Sequence, residues 1–379
     1  MDYALTEEQR IFRESLVKFL EREVAPLEEE CDRKEEFPVE MFRLFGKHGY
    51  LCVGFPEAYG GAGADAVTLV IFCEEIGRLA SGIGGGLLVQ SSLATTSILH
   101  GGTEEQKQKY LPPAVRGEKI FAFALTEPGA GSDAASIKTR AKKDGDHYVV
   151  NGSKMFITNY SLADYITLVV VTDPAKGHNG ISLLVVEKGT PGLEYGRKIS
   201  KIGNRATQTG ELFFNDCRVP AANLIGAEGA GFKIIMRTLD EARITLGAKA
   251  LGLAQAAFDE SLQYAKDRVQ FGKPIGKFQM IQSKLAWMAT ELEAARLMLY
   301  KAAAMKDHGV DYSKQAAMAK LYSTEIAVAV TGEAMQIHGG YGYTMEFPVQ
   351  RHFRDAKLLT IGEGTSEIQQ IIIAKQLGL

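Results

Sequence analysis

The chain has 379 residues, 46% of them hydrophobic, which is enough length and apolar content for two or three domains around a large core. A formal net charge of -3, with acids and bases interspersed, leaves no electrostatic footprint for nucleic acid or an anionic membrane. Four cysteines (Cys31, Cys52, Cys73, Cys217) stand far apart without a C-x-x-C pair, which argues against a disulfide framework and a metal site and for a reducing compartment.

The first residues, "MDYALTEEQR", are acidic and amphipathic, and no apolar run reaches bilayer length. The expected location is therefore cytoplasmic, or the mitochondrial matrix if a transit peptide has been removed. The stretch 7–27 carries Ile11, Phe12, Leu16, Phe19 and Leu20 at helical spacing and ends at Pro26. Further helices are predicted near 38–49, 65–80, 87–100 and 103–116, separated by glycine-rich turns such as "YGGAGAD" and "SGIGGG". From Lys119 the period falls to two. "FAFALT", "HYVVNGSKMFITN", "DYITLVVVTD", "GISLLVVEKG" and "GELFFNDCRVP" read as short strands, with Asn151-Gly152 as a hairpin signal. No helical segments interleave with them, which predicts an antiparallel sheet or barrel rather than a Rossmann sheet. After "NLIGAEGAGF" the helical period returns, over about 231–266, 277–308, 313–338 and 366–377, as expected of an antiparallel bundle. The fold class is therefore α+β, with an N-terminal all-α domain (1–118), a middle β domain (119–224) and a C-terminal helical bundle (225–379). Crevices between such domains are where ligands bind.

Five motifs carry candidate chemistry. "FALTEPGAGSDAAS" (123–136) leaves a strand for a proline-glycine loop, with hydroxyls at Thr126 and Ser132. "MFITN" (155–159) offers Phe156 to a flat ring and Thr158 to its edge. "DRVQFGKPIGKFQ" (267–279) holds Arg268, suited to a phosphate, and Phe271. "QIHGGYGY" (336–343) reads either as a helix C-cap at Gly339 and Gly340 with a surface His338, or as a close backbone approach to a nucleotide. "EGTSEIQ" places Glu363 between two glycines before the last helix. Asp240 and Arg243 stand one helical turn apart, as in an intrahelical ion pair. Taken singly, each stretch is also consistent with an ordinary turn, strand or ion pair.

In this order along an α–β–α chain, "FALTEPGAGSD", "NGSKMFITN", "DRVQFGKPIGKFQ", "QIHGGYGY" and "EGTSEIQ" closely resemble the acyl-CoA dehydrogenase family over essentially the full length. The resemblance implies a helical domain, a middle antiparallel β-barrel or sandwich and a C-terminal four-helix bundle. It also implies an FAD enzyme that converts a short- to medium-chain acyl-CoA to its 2-enoyl-CoA and passes electrons to an electron-transferring flavoprotein. By the same resemblance Phe123, Leu125, Thr126, Phe156 and Thr158 line the isoalloxazine ring, and Ser132 is shared between FAD and acyl-CoA. Arg268, Phe271, Gln279, Gln336, Gly339 and Gly340 hold the AMP half across a subunit interface, implying a homotetramer built as a dimer of dimers. Thr365 and Glu367 complete the FAD contacts, while Asp240 and Arg243 lie near the pantetheine.

Glu363 is the implied base for the acyl α-proton. Its own N–H and a ribityl hydroxyl are the implied donors to the thioester oxygen, and Gly362 and Gly364 keep the site open to substrate. The helix N-terminus favours its ionised form by about 0.3–1 kcal/mol, whereas burial raises a carboxylate by up to about 3–5 pH units, so a base poised near neutrality is expected with substrate bound. Some relatives carry this base on the helix that here reads "LDEAR", where this chain has Ala242; neighbouring Glu241 is expected to point away. Straight-chain relatives commonly have tyrosine where this chain has Gly362. Either acyl groups branched or cyclic near Cα and Cβ fit there, or another residue fills the gap. The same residues are compatible with an enoyl-CoA reductase, and a non-catalytic acyl-CoA or flavin-binding scaffold is the alternative of a different class.

Overall fold

In a computed structural model, which describes residues 5–379, seven helices precede the sheet. They are α1 (Glu7–Glu23), α2 (Glu28–Lys34), α3 (Glu40–Lys47), α4 (Ala66–Leu79), α5 (Ser81–Val89), α6 (Thr95–Gly101) and α7 (Glu104–Val115). Thr6 and Thr103 cap α1 and α7 through reciprocal bonds with Gln9 and Gln106, which satisfies the first orphan N–H groups.

The "SGIGGG" stretch, expected as a turn, is helical: it forms most of α5. Glycine is ordinarily a poor helix former, and packing overrides that preference here. A Cβ would come within 2.9 Å of Glu28 Oε2 at Gly82, 2.8 Å of Thr207 Oγ1 at Gly85 and 2.8 Å of the Phe37 ring at Gly86. The buried Glu28 carboxylate accepts from Gly82 N (3.1 Å) and Ile83 N (2.8 Å), tying α2 to the start of α5. Helix α5 then passes through a π-helical turn (Gln90–Ala94) into α6, so the helix expected at 87–100 is interrupted.

Eight strands form one sheet: β1 (Phe121–Ala124), β2 (Arg140–Asp144), β3 (His147–Thr158), β4 (Tyr165–Val171), β5 (Ile181–Glu187), β6 (Leu193–Lys198), β7 (Thr209–Pro220) and β8 (Leu224–Ile225). Their order is β6-β7-β3-β2-β4-β5-β8, with β1 also beside β4. The sheet is mixed rather than purely antiparallel, because β1 and β2 both run parallel to β4. Asn151-Gly152 is not a hairpin turn. It lies inside β3 at a register shift against β7, and Gly152 (φ +148°) passes so close to Thr139 that a Cβ would sit 2.7 Å from its Cα. The turn falls instead at Gly145-Asp146, between the paired Asp144 and His147.

Strands β4 and β5 are buried on both faces. Ile166, Leu168, Val170, Leu184 and Val186 point into a core private to the sheet. Val169, Val171, Leu183 and Val185 join the core shared with the helices. This explains their unbroken apolar runs.

The chain returns to helix in α8 (Gly231–Asp267), α9 (Gln279–Asp307) and α10 (Ser313–His338), and a two-stranded hairpin, β9 (Val269–Gln270) with β10 (Lys273–Pro274), separates the first two. A helix absent from the sequence expectation, α11 (Val349–Leu359), packs on α8 and α10 ahead of α12 (Ser366–Gln376). Helix α4 also lies along α8, so the N-terminal and C-terminal helices share one core.

Candidate active site

Glu363 sits between the end of α11 and the start of α12 with φ +55°, followed by Gly364 at φ +94°. A left-handed glutamate is uncommon and carries strain of roughly 1–3 kcal/mol, so the surroundings must enforce it. Two contacts from outside the turn do so. Lys320 Nζ on α10 donates to the Gly364 carbonyl at 2.8 Å, and Gln369 Nε2 donates to the same oxygen at 2.9 Å. Thr365 caps α12, its Oγ1 accepting from Ile368 N.

The carboxylate is the chemically unusual group. Its Oε2 is sealed from solvent and has no hydrogen-bond partner. Burial pushes its pKa up to about 7, against the opposing charges of Lys320, Lys249 and Arg243. Desolvation therefore outweighs these three charges without any substrate in place. An unpartnered carboxylate poised near neutrality is suited to proton abstraction. Such a group is also a functional-site marker on physical grounds.

The cations around it were not anticipated from the sequence, apart from Arg243. Lys320 and Lys249 are 0% and 2% exposed, and burial depresses both, Lys320 to about 8. Their signal was a lysine inside an apolar helical run, in "AAMAKLYST" and "LGAKALG". Lys249 Nζ donates to Asn204 Oδ1 (2.9 Å), and Asn204 N in turn donates to the buried Asp355 (2.5 Å). Arg243 pairs with Asp240, as the spacing predicted, and Asp240 also accepts from Ser313 Oγ at 3.0 Å. Asp240 lines a cavity of about 440 Å³ with Arg237, Lys306 and Tyr312. Glu241, expected to point away, lines that same cavity beside Asp240. It is held by His100 (3.1 Å) and Lys306 (3.0 Å), which keep its pKa down at about 2, and Ala242 is fully buried.

The residues expected at the isoalloxazine cluster at the ends of β1 and β3. Phe123, Leu125, Thr126 and Thr158 are half-buried, while Phe156 is 57% exposed with φ +60° at a second irregularity of β3. Met155 N donates to Thr126 O at 2.9 Å, joining the two motifs directly. Beneath them lies a buried ion pair that the sequence reading missed. Lys154 Nζ donates to Glu127 Oε1 (2.8 Å) and Leu125 O (2.9 Å), and Glu127 accepts from Lys138 N (2.6 Å) and Thr139 N (2.9 Å). This staple holds the loop that presents the exposed Ser132, where Gly129 and Gly131 leave open space.

A second cavity of about 430 Å³ is lined by Tyr264, Arg268, Ile275, His338, Gly339 and Gly340, among others. His338 is buried, not on the surface: it stacks on Tyr264 with centroids 4.2 Å apart. Arg268 lies over the Tyr341 ring at 5.4 Å. Phe271 (94% exposed), Gln279 and Gln336 fall outside this lining and face outward. Glu367 is exposed in the first turn of α12. An outward aromatic on β3, a staple-held glycine loop and an aromatic cavity with an arginine and two open glycines fit the parts of FAD: a flat ring, a pyrophosphate and an adenosine. Among the described residues no cluster of metal-ligating side chains occurs, and no helix is long and apolar enough to cross a membrane.

Comparison with known proteins gives consistent matches along the whole chain. Residues 6–118, 122–217 and 229–378 match the family models described as the N-terminal, middle and C-terminal domains of acyl-CoA dehydrogenase. A short-chain-specific acyl-CoA dehydrogenase of Clostridium acetobutylicum is 46% identical over 377 residues, covering 100% of both chains. An NADH-dependent acryloyl-CoA reductase of Anaerotignum propionicum is 45% identical, covering 100% of this chain and 96% of its own. The solved structure of butyryl-CoA dehydrogenase from Megasphaera elsdenii aligns with a TM-score of 0.97 and 44% identity over 100% of both chains.

Proposed function

The chain belongs to the acyl-CoA dehydrogenase family, and from that premise we propose that it oxidises a short-chain acyl-CoA to the 2-enoyl-CoA, with Glu363 as the base. The observation that carries this reading is the solvent-sealed, unpartnered Oε2 of Glu363, poised near pH 7. In the reaction the ionised Glu363 takes the proton from the acyl Cα. Its backbone N–H, in the turn held by Lys320, donates to the thioester oxygen as charge develops there. Arg243, Lys249 and Lys320 keep a useful fraction of Glu363 ionised despite its burial. The cofactor we assign is FAD, which when bound supplies the acceptor for the hydride leaving Cβ. Phe123, Leu125, Thr126, Phe156 and Thr158 would hold its ring, with Ser132, Thr365 and Glu367 beside them. Arg268, Gly339 and Gly340 would hold its adenosine half, with Phe271, Gln279 and Gln336 projecting to a second subunit of a homotetramer. Asp240 and Arg243 flank the thioester's pantetheine arm.

An electron-transferring flavoprotein is the proposed electron acceptor. Gly362 favours branched or cyclic acyl groups, because a Cβ there would meet only the Leu358 carbonyl, at 3.6 Å, so the wall beside the base is open. The acryloyl-CoA reductase relative favours a second reading, the reverse reduction of an enoyl-CoA. The test is anaerobic titration of the FAD-loaded protein with butyryl-, isobutyryl-, 2-methylbutyryl- and cyclohexanecarboxyl-CoA. Rapid flavin bleaching with at least one, abolished in Glu363→Gln, is the expected result. Bleaching as fast in Glu363→Gln would remove the base assignment. Faster steady-state turnover of the enoyl-CoA with reduced flavoprotein would favour the second reading.

A further inference from the structure

Lys320 poses a physical question of its own, since nothing in a helical core calls for a fully buried ammonium. The energetic penalty of burying it is large, and a leucine or methionine would pack in its place. Its nitrogen does not close an ion pair on Glu363, which would neutralise the base and block it. It donates instead to the carbonyl of the next residue, Gly364, leaving Glu363 Oε2 free. We propose that Lys320 is a positioning residue for the reaction: from α10 it pins the left-handed Glu363–Gly364 turn through the backbone, and it lends the base a positive charge without occupying it. This rests on Glu363 being the base.

Charged and titratable groups on four helices face the pair. Arg243 and Lys249 of α8 and Cys73 of α4 face Glu363, while Glu325 of α10, Glu367 of α12 and Arg243 face Lys320. Of the three cations, only Lys320 is bonded to the turn itself, since Arg243 is committed to Asp240 and Lys249 to Asn204. Gln369 supplies a second, uncharged bond to the same carbonyl. The two donors therefore separate the roles: Lys320 contributes geometry and charge, Gln369 geometry alone.

The experiment measures anaerobic flavin bleaching by the best acyl-CoA across pH 5.5–9 in FAD-loaded wild type, Lys320→Met, Lys320→Gln and Gln369→Leu. Loss of the charge moves the acid limb of the profile up by about one pH unit in both Lys320 variants. Loss of the bond lowers the pH-independent rate by roughly 10- to 100-fold in Lys320→Met. Gln369→Leu lowers the rate while its acid limb stays at the wild-type pH. Either neutral Lys320 variant that folds and takes up FAD decides the matter: a wild-type acid limb overturns the proposal. Glu363→Gln runs in parallel. If it is inactive while the Lys320 limb is unmoved, only the role of Lys320 fails; if it remains active, the base assignment fails first.

Discussion

Replacing Glu363 by glutamine is expected to abolish turnover and, away from acid pH, to make the protein more stable. Burial raises the carboxyl from an ordinary value of 4.5 to about 7. A gap of that size is worth about 3 kcal/mol, at about 1.4 kcal/mol per pH unit. Below pH 4.5 the group is protonated folded and unfolded, so wild type and variant stand level. As the pH rises towards 7 the unfolded chain ionises freely while the folded one resists, so wild type loses stability relative to glutamine. Above pH 7 the difference is complete. The assay is urea unfolding, or thermal melting, of both FAD-loaded proteins at intervals from pH 4.5 to 9 without acyl-CoA. The variant's advantage should grow to about 3 kcal/mol, or a few degrees in Tm, across that window. A constant difference over the range would mean that the carboxylate is solvated, and the reasoning from its sealed oxygen would be wrong.

Three further outcomes are expected. In wild type, kcat/KM for the preferred acyl-CoA should rise about tenfold per pH unit below 7 and level off above it, as an essential carboxylate with a pKa of about 7 requires; a plateau reaching down to pH 5.5 would refute this. Lys154→Met strands the buried Glu127 carboxylate, so urea unfolding should show a loss of about 3 kcal/mol and equilibrium dialysis a weaker hold on FAD. An unchanged FAD affinity would detach the staple from the cofactor site. Gly362→Tyr fills the open wall beside the base, and competition assays should show isobutyryl- and 2-methylbutyryl-CoA losing at least about tenfold against butyryl-CoA. Equal losses for all three would mean that this wall does not face the acyl group.

The α–β–α order was legible because it leaves a local trace, a period of 3.6 or 2; Glu363 stood out as a carboxylate between glycines, and its role as a base was implied only by the family resemblance. The errors came where distant contacts outweighed local preference. Four glycines in α5 read as a turn because most of the residues that forbid a Cβ there, Glu28, Phe37 and Thr207, are remote in sequence, with only Ile76 close by in α4. Asn151-Gly152 has the composition of a hairpin, yet it sits at a bulge inside β3, where Thr139, next to the paired Arg140, leaves no room for a Cβ at Gly152. His338 follows a helix and carries a polar ring, so nothing local revealed that Tyr264 and Phe347 enclose it. At the site, Arg243 and Asp240 were found by helical spacing. Lys249 and Lys320 act across elements and left only the faint mark of a charge in an apolar run, and the Lys154–Glu127 pair left no local mark.

The two-sided burial of β4 and β5 limits how anything can enter. Parting the sheet from the helices would wet Val169, Val171, Leu183 and Val185, at about 1.5–3 kcal/mol each, which together rivals the whole stability of an ordinary domain. The molecule cannot work as a clamshell. Any movement that admits or releases a ligand must therefore come from elements other than this seam, with the sheet and the helices staying joined.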